Sequence, residues 1–368
     1  MTVSDSALFK PVKVGTMQLQ HRVVLAPLTR LRHNENHAPT DLVREYYNQR
    51  TLPGGFLISE ANAVSAQSGP LPGFPGLYST EQIQGWKKVT DTVHAKGGYI
   101  FAQLCHSGRV SSSKLIPNGA KPVSASAIAI QGKNIFGDDY EVPRPLEIEE
   151  IKLIIEDYAQ AARNAIEAGF DGVELHGANG HLLDQFINTS SNKRTDEYGG
   201  SIENRSRLCL QVLDAIVAAV GAEERIGIRL SPWCEIHDME DETPYETWGY
   251  IVRELQARYP NLAYLHFIEP RDDFARKTKN EKDSLDYFRV IWKGVFVSSG
   301  GYTTHPELAT KVADETGNLI AFGRSFIANP DLPLRLKNSW PLNKYDRNTF
   351  YTNTEVGYTD YPFYDQKA

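Results

Sequence analysis

Six residues near the middle of the chain gather side chains suited to chemistry: His176-Gly-Ala-Asn-Gly-His181. Two imidazoles and an amide stand in a glycine-broken stretch that follows a short apolar run, Asp171-Gly-Val-Glu-Leu175. An imidazole can donate, accept or carry a proton near neutral pH, and an amide donates without ionising. Such groups at a strand end can polarise a carbonyl or deliver a proton. The next charged run, Arg194-Thr-Asp-Glu-Tyr-Gly-Gly-Ser-Ile-Glu-Asn-Arg-Ser-Arg207, is expected to be scaffold that fixes the loop.

Stepping outward, short β-rich apolar runs begin near residues 23, 56, 99, 172, 226, 262, 295 and 319. Helical spacing fills most of the intervals: Thr40 to Gln49, Thr80 to Lys96 behind an N-cap at Ser79, Glu147 to Ala168, Ile202 to Val220, Tyr245 to Arg258, Asp286 to Trp292 and His305 to Glu315. Residues 106–145 read as a long loop and Lys277 to Asp283 as a charged one. Alternation of this kind implies parallel strands with right-handed crossovers. Eight units close into a (β/α)8 TIM barrel, an α/β fold, with residues 1–368 as one domain. The first strands, within residues 9–20, form a hairpin around Gly15-Thr16 that would cap the barrel bottom. A doubly wound sheet is the structural alternative.

The composition narrows the class. A chain of 368 residues with 41% hydrophobic residues has ample material for a core. A net charge of -7 argues against a nucleic-acid partner, which selects for a basic face. No apolar run approaches the roughly 18 residues of a membrane span, and the first thirty residues hold no signal-peptide core. Three cysteines in so long a chain point to a reducing compartment, so a cytoplasmic protein is expected, as a monomer or homodimer.

In a barrel of this kind the active site lies at the C-terminal strand ends. Those ends offer Pro27, Leu28 and Thr29; Glu60 and Ala61; Gln103, Cys105 and His106; His176, Asn179 and His181; Arg229; His266 and Glu269; Gly300 and Gly301; Gly323 and Arg324. A Schiff-base aldolase needs a lysine among them, and there is none. A glycosidase needs two carboxylates, and Glu60 has no convincing second. Metal ligands could be recruited from His176, His181, Glu60 and His106, but the early His-x-His of amidohydrolase-type barrels is missing, and no metal is expected. Glycines and an arginine after the last two strands match the recurrent phosphate site of the fold. A polar set around an apolar floor that ends in a phosphate clamp suits FMN.

These residues resemble the old yellow enzyme family of FMN-dependent ene-reductases, in its fungal and yeast style. The matching pieces run through nearly the whole chain. They include Ala26-Pro-Leu-Thr-Arg30, His176-Gly-Ala-Asn-Gly180, the run from Asn192 to Arg205, Arg229-Leu-Ser-Pro232, Phe322-Gly-Arg324 and Asn343-Lys-Tyr-Asp-Arg347. The resemblance implies that Pro27, Leu28, Thr29, Ala61, Gln103 and Arg229 surround the flavin ring. Gly300, Gly301, Gly323 and Arg324 would hold its phosphate. His176 and Asn179 would grip the carbonyl oxygen of an enone or enal, and Phe350 and Tyr351 would approach from the C-terminal segment. NADPH or NADH would serve as a transient hydride donor; no Gly-x-Gly-x-x-Gly of a separate nicotinamide domain is present.

The chain departs from the family pattern at two positions. His181 stands where the family carries a proton-donating tyrosine. It is expected to donate the proton itself, with two alternatives: that it lines the pocket while water or another residue donates, or that protonation is slow and the enzyme is a redox-neutral isomerase. Cys105 replaces a tryptophan, which should widen the substrate pocket; as the bland alternative it is a small buried apolar residue. The loop from Ile128 to Val142 is expected to form part of a lid, with Phe136, Tyr140 and Phe274 as candidate pocket aromatics. A binding protein without activity is the third functional alternative.

Overall fold

The structure is a computed structural model that describes residues 3–270 and 282–365. Eight strands form the barrel: β1 (Val23–Leu25), β2 (Phe56–Ala63), β3 (Tyr99–Cys105), β4 (Gly172–Gly177), β5 (Ile226–Leu230), β6 (Tyr264–Ile268), β7 (Phe296–Ser299) and β8 (Leu319–Phe322). Each pairs in parallel with its neighbours in sequence, and β8 closes on β1. This is the expected TIM barrel, and closure rules out the doubly wound sheet. The strands read as continuous apolar runs because helices cover the outer face and side chains fill the inner one.

The early hairpin, Val12–Val14 against Met17–Leu19, plugs the barrel bottom. Val14, Met17 and Leu19 pack with the inward side chains Val24, Phe56, Phe101, Tyr264 and Val297. Its turn needs glycine: a Cβ on Gly15 would stand 2.0 Å from the Glu224 carbonyl oxygen, just ahead of β5.

The helices on the outer face are α1 (Asp41–Arg50), α2 (Thr80–Ala95), α3 (Ile148–Glu167), α5 (Ile202–Val220), α6 (Pro244–Arg258), α7 (Asp286–Ile291) and α8 (Glu307–Thr316). Ser79 caps α2 as expected: its Oγ accepts from Gln82 N while Gln82 Oε1 accepts from Ser79 N at 3.1 Å. Three further helices escaped the periodicity: α4 (Leu182–Ile187), α9 (Arg324–Ala328) and α10 (Leu332–Asn338). All six residues of α4 are buried, so it has no polar face to alternate with. The long loop 106–145 contains two paired two-residue strands, Val123–Ser124 and Arg144–Pro145.

The Arg194 to Arg207 run, with Asn192 just ahead of it, makes structural hydrogen bonds. Asn192 Nδ2 donates to the carbonyls of Phe186 (2.7 Å) and Tyr198 (2.8 Å). Arg194 reaches the Leu146 carbonyl at 2.7 Å. Arg205 donates to Ile187 O at 3.0 Å and pairs with Asp241 at 3.1 Å. These bonds tie α4 and the loop before α5 to the barrel rim.

Candidate active site

The loop after β4 is wound tightly. Asn179 and Gly180 both adopt left-handed backbone, with φ of 58° and 73°. Asparagine tolerates that region better than most side chains. At Gly180 a Cβ would stand 2.8 Å from both His237 Cβ and Ile236 O. The turn is held by side chains from elsewhere. Gly180 N donates to Asp184 Oδ2 at 2.9 Å, and Asn179 N donates to Ser231 Oγ at 2.9 Å. Asn188 Nδ2 donates to the other Asp184 oxygen at 2.8 Å. Burial still raises the Asp184 carboxyl to about 7. The Cys234 thiol donates to Asn179 Oδ1 at 3.5 Å, which leaves the NH2 of that amide for the cleft that Asn179 lines.

His176, at the end of β4, is 3% exposed, and its Nδ1 has no hydrogen-bond partner among the described residues. It stands in register with Arg229 on β5, and its ring centre lies 4.6 Å from that of His181. Burial, then His181 and Arg229, hold its imidazolium form well below the usual range. Burial, then His237, lowers His181 to about 3. Both rings are therefore neutral at pH 7. His181 Nδ1 lies 3.3 Å from the Ala178 carbonyl, which can only accept, so Nδ1 carries the hydrogen and Nε2 the lone pair. Cys105, at the end of β3, is buried, and burial pushes its thiol up. One ligand-capable atom each from Cys105, His176 and His181 lie within 4.8 Å of one another.

Next to this group opens a cleft lined by Pro27, Leu28, Thr29, Arg229, Gly300, Gly301, Gly323 and Arg324. It thus joins eight of the ten residues expected to hold a cofactor. The other two, Ala61 and Gln103, are register partners across β2 and β3 and are buried. Gln103 Nε2 donates to Glu174 at 2.7 Å. Glu174 bonds His266 Nδ1 at 2.8 Å, and His266 Nε2 meets Ser299 Oγ at 3.0 Å. Burial alone would raise Glu174, but His266, Arg229 and Gln103 hold it below the usual carboxylate range.

Tyr351 and Phe350 line the cleft as expected. Phe136 does not reach it; it is 44% exposed on the loop surface. Tyr140 sits edge-on to His237 at 6.4 Å. Phe274 lies outside the described residues. The sequence reading missed Ile236, Ile268, Tyr302, Thr303 and Arg347 as lining residues. Arg347 carried a signal, since it ends the Asn343 to Arg347 run. Glu174 carried another: a carboxylate inside an apolar strand must be paired.

The donor set fits FMN. Gly300 and Gly301 turn with φ of 103° and 76°, which exposes backbone N–H groups beside Arg324. The floor at Ala26 to Leu28 is apolar, and Thr29 and Arg229 edge it with polar groups. The model of the NADH:flavin oxidoreductase / NADH oxidase family matches residues 7–343. The chain belongs to that family. Among its old yellow enzyme relatives, a putative 12-oxophytodienoate reductase 3 of Oryza sativa subsp. japonica is 48% identical over 98% of this chain and 93% of its own. The flavin oxidoreductase hxnT of Emericella nidulans is 47% identical over 97% of each. The solved morphinone reductase superposes with a TM-score of 0.91 at 42% identity, over 100% of this chain and 99% of its own. Another of its structures, with bound tetrahydroNAD, gives 0.89 at 43%, covering 98% of each chain. This old yellow enzyme family member is an FMN-dependent ene-reductase that draws hydride from a reduced nicotinamide.

Proposed function

We propose that the substrate is an α,β-unsaturated carbonyl compound whose oxygen is held by His176 and Asn179. FMN, when bound, supplies the hydride that reaches the β-carbon. The observation that carries the reading is the pair of neutral donors at the end of β4 and on the loop that follows it. His176 is buried and uncharged, and the Asn179 amide is turned by Cys234 so that its NH2 faces the cleft. Negative charge that moves onto the carbonyl oxygen meets fixed donors there. Thr29, Gln103 and Arg229 would orient the flavin ring, and Gly300, Gly301, Gly323 and Arg324 would hold its phosphate.

His181 is a poor standing acid, because burial keeps its ring neutral and its one hydrogen is turned toward Ala178. Its lone pair instead positions water; that water gives a proton to the α-carbon, and the hydroxide left behind takes one from bulk solvent. Cys105 leaves room beside the ring for bulky substrates, so Cys105→Trp should narrow the substrate range. The relatives' printed activities, on 12-oxophytodienoate and morphinone, support a cyclic enone class.

Product mass spectrometry in deuterated water with an enone panel tests the reading. Net reduction with one deuterium from solvent is expected; isomerised product without use of nicotinamide would sink it. In single turnover, His181→Ala should slow product formation and leave flavin reduction near normal. Unchanged rates in both halves would remove His181 from proton delivery.

Residues 1–368 are read as one domain in a cytoplasmic monomer or homodimer, a reading supported by the burial of Cys105, Cys209 and Cys234. No described helix is long and apolar enough to cross a membrane. Light scattering on the eluted protein decides between monomer and dimer. The fungal and yeast affinity is supported by the Emericella relative, although the rice relatives match as well; a tree of close homologues tests it.

A further inference from the structure

We propose that Cys105, His176 and His181 form a binding site for a thiophilic divalent cation, Zn2+ above all, and that its occupation shuts the enone pocket reversibly. The blocking part of the proposal rests on the carbonyl reading above; the binding part does not.

Three features carry it. One sulfur and two imidazole nitrogens lie within 4.8 Å of one another at the ends of β3 and β4. Tetrahedral zinc has bonds of about 2.0–2.3 Å, which put ligand atoms roughly 3.5 Å apart, so the side chains need to close by only about 1 Å. Second, the imidazoles are poised as ligands. Among the described residues, His176 Nδ1 is buried without a partner. His181 donates its Nδ1 hydrogen to the Ala178 carbonyl, the backbone contact that fixes the tautomer of a metal-binding histidine and frees Nε2. Third, the set is chemically selective. One thiolate with two imidazoles favours Zn2+ or copper over Mg2+ or Ca2+, and three protein ligands leave a fourth position open. His181 is the half-buried member of the three.

Binding replaces the thiol hydrogen: the S–H bond breaks, an S–Zn bond forms, and one proton leaves to solvent for each ion bound. Two local features oppose the ion. Burial favours the protonated thiol, and Arg229 lies in register with His176. An ion that binds nonetheless ties up His176 and stands where the carbonyl oxygen would lie.

The experiment uses the FMN-loaded, chelator-treated protein. Titration with Co2+ should give one ion per chain, with a thiolate-to-cobalt charge-transfer band and tetrahedral d–d bands at longer wavelength than the flavin. Cys105→Ala and His181→Ala should lose the thiolate band and the tetrahedral intensity respectively, while Cys234→Ala keeps both. Zn2+ should displace the cobalt and raise the apparent KM for an enone, with full recovery on EDTA. Absence of a thiolate band in the unmodified protein, or its survival in Cys105→Ala, overturns the site. X-ray absorption of the zinc-loaded unmodified protein gives a second decision that needs no variant: one sulfur and two nitrogen neighbours support the site, and an all-oxygen shell overturns it. If the metal-free protein does not reduce enones, yet the cobalt bands appear on titration, the carbonyl reading fails and the metal site stands.

Discussion

The two ends of the cleft are built by different means. The end expected to hold phosphate is made of backbone: Gly300 and Gly301 after β7, and Gly323 before α9, with Arg324 beside them. The end proposed to face the substrate is made of side chains: Asn179, which lines the cleft, with His176 and His181 on the same strand and loop. Asp184 of α4 and Ser231, Cys234 and His237 after β5 bind the β4 loop. A backbone site asks little more than glycine at the right strand ends. A side-chain site is only as exact as its supporting contacts. Damage at the first end should therefore loosen the cofactor, and damage at the second should spare the cofactor and harm the chemistry.

The sharpest test of that contrast is His176→Ala. Removing a donor from the carbonyl grip should lower kcat by about 10²–10³-fold. FMN content should stay near that of the unmodified protein, as read by absorbance of the purified variant. A variant that emerges colourless would collapse the distinction between the two ends.

Asp184 tests whether the support of the β4 loop carries a thermodynamic cost. Its carboxyl is raised to about 7 in the folded protein, against about 3.9 for a free aspartate. The folded state thus holds the extra proton between those values, and its stability falls as pH rises through that window. Below about pH 4 the penalty is absent, and above about pH 7 it is complete, on the order of 4 kcal/mol. Asp184→Asn should flatten this slope. Melting temperatures of both proteins across pH 4–7 check it, and parallel curves would show that Asp184 does not titrate there.

At the other end, Gly301 has φ of 76°. Alanine in that region costs about 1–2 kcal/mol. Gly301→Ala should therefore weaken FMN by roughly 10-fold, measured by fluorescence titration of the flavin-stripped protein. With saturating FMN, its kcat should return to the unmodified value. A kcat defect that persists would mean that the phosphate end also positions the chemistry.

The same contrast explains what the sequence disclosed. Glycines at strand ends are visible once the strands are counted, so the backbone-built end was legible almost residue by residue. His176, Asn179 and His181 were legible as types. Their holders were not, because contact partners such as Ser231 and Cys234 lie more than fifty positions downstream of the β4 loop, at |i−j| of 52 and 55 from Asn179. The pair Glu174 and His266 is separated by 92 positions, and only closure of the barrel brings the two together. The α4 helix escaped for the opposite reason: it is buried on every side and leaves no periodic trace. The meeting of Cys105 with the two histidines belongs to the same class, since β3 and β4 become neighbours only through pairing such as Gln103 with Glu174.

The smallest effect concerns Cys234, and it asks how finely the side-chain end is set. A thiol is a weak donor, and its contact with Asn179 Oδ1 is 3.5 Å. Its value lies in direction: while the amide oxygen accepts from sulfur, the NH2 must point into the cleft. Without the thiol the amide can turn, and part of the population presents oxygen to the substrate oxygen. Cys234→Ala should raise the KM for an enone about 2–3-fold, the size of a lost weak hydrogen bond, with kcat and FMN content nearly unchanged. Cys234→Ser retains a hydroxyl donor and should stay close to the unmodified enzyme. Steady-state kinetics on the two variants side by side decide the point. If alanine and serine behave alike, the amide is oriented by its strained backbone alone, and the supporting contacts of this loop are those of Ser231, Asp184 and His237.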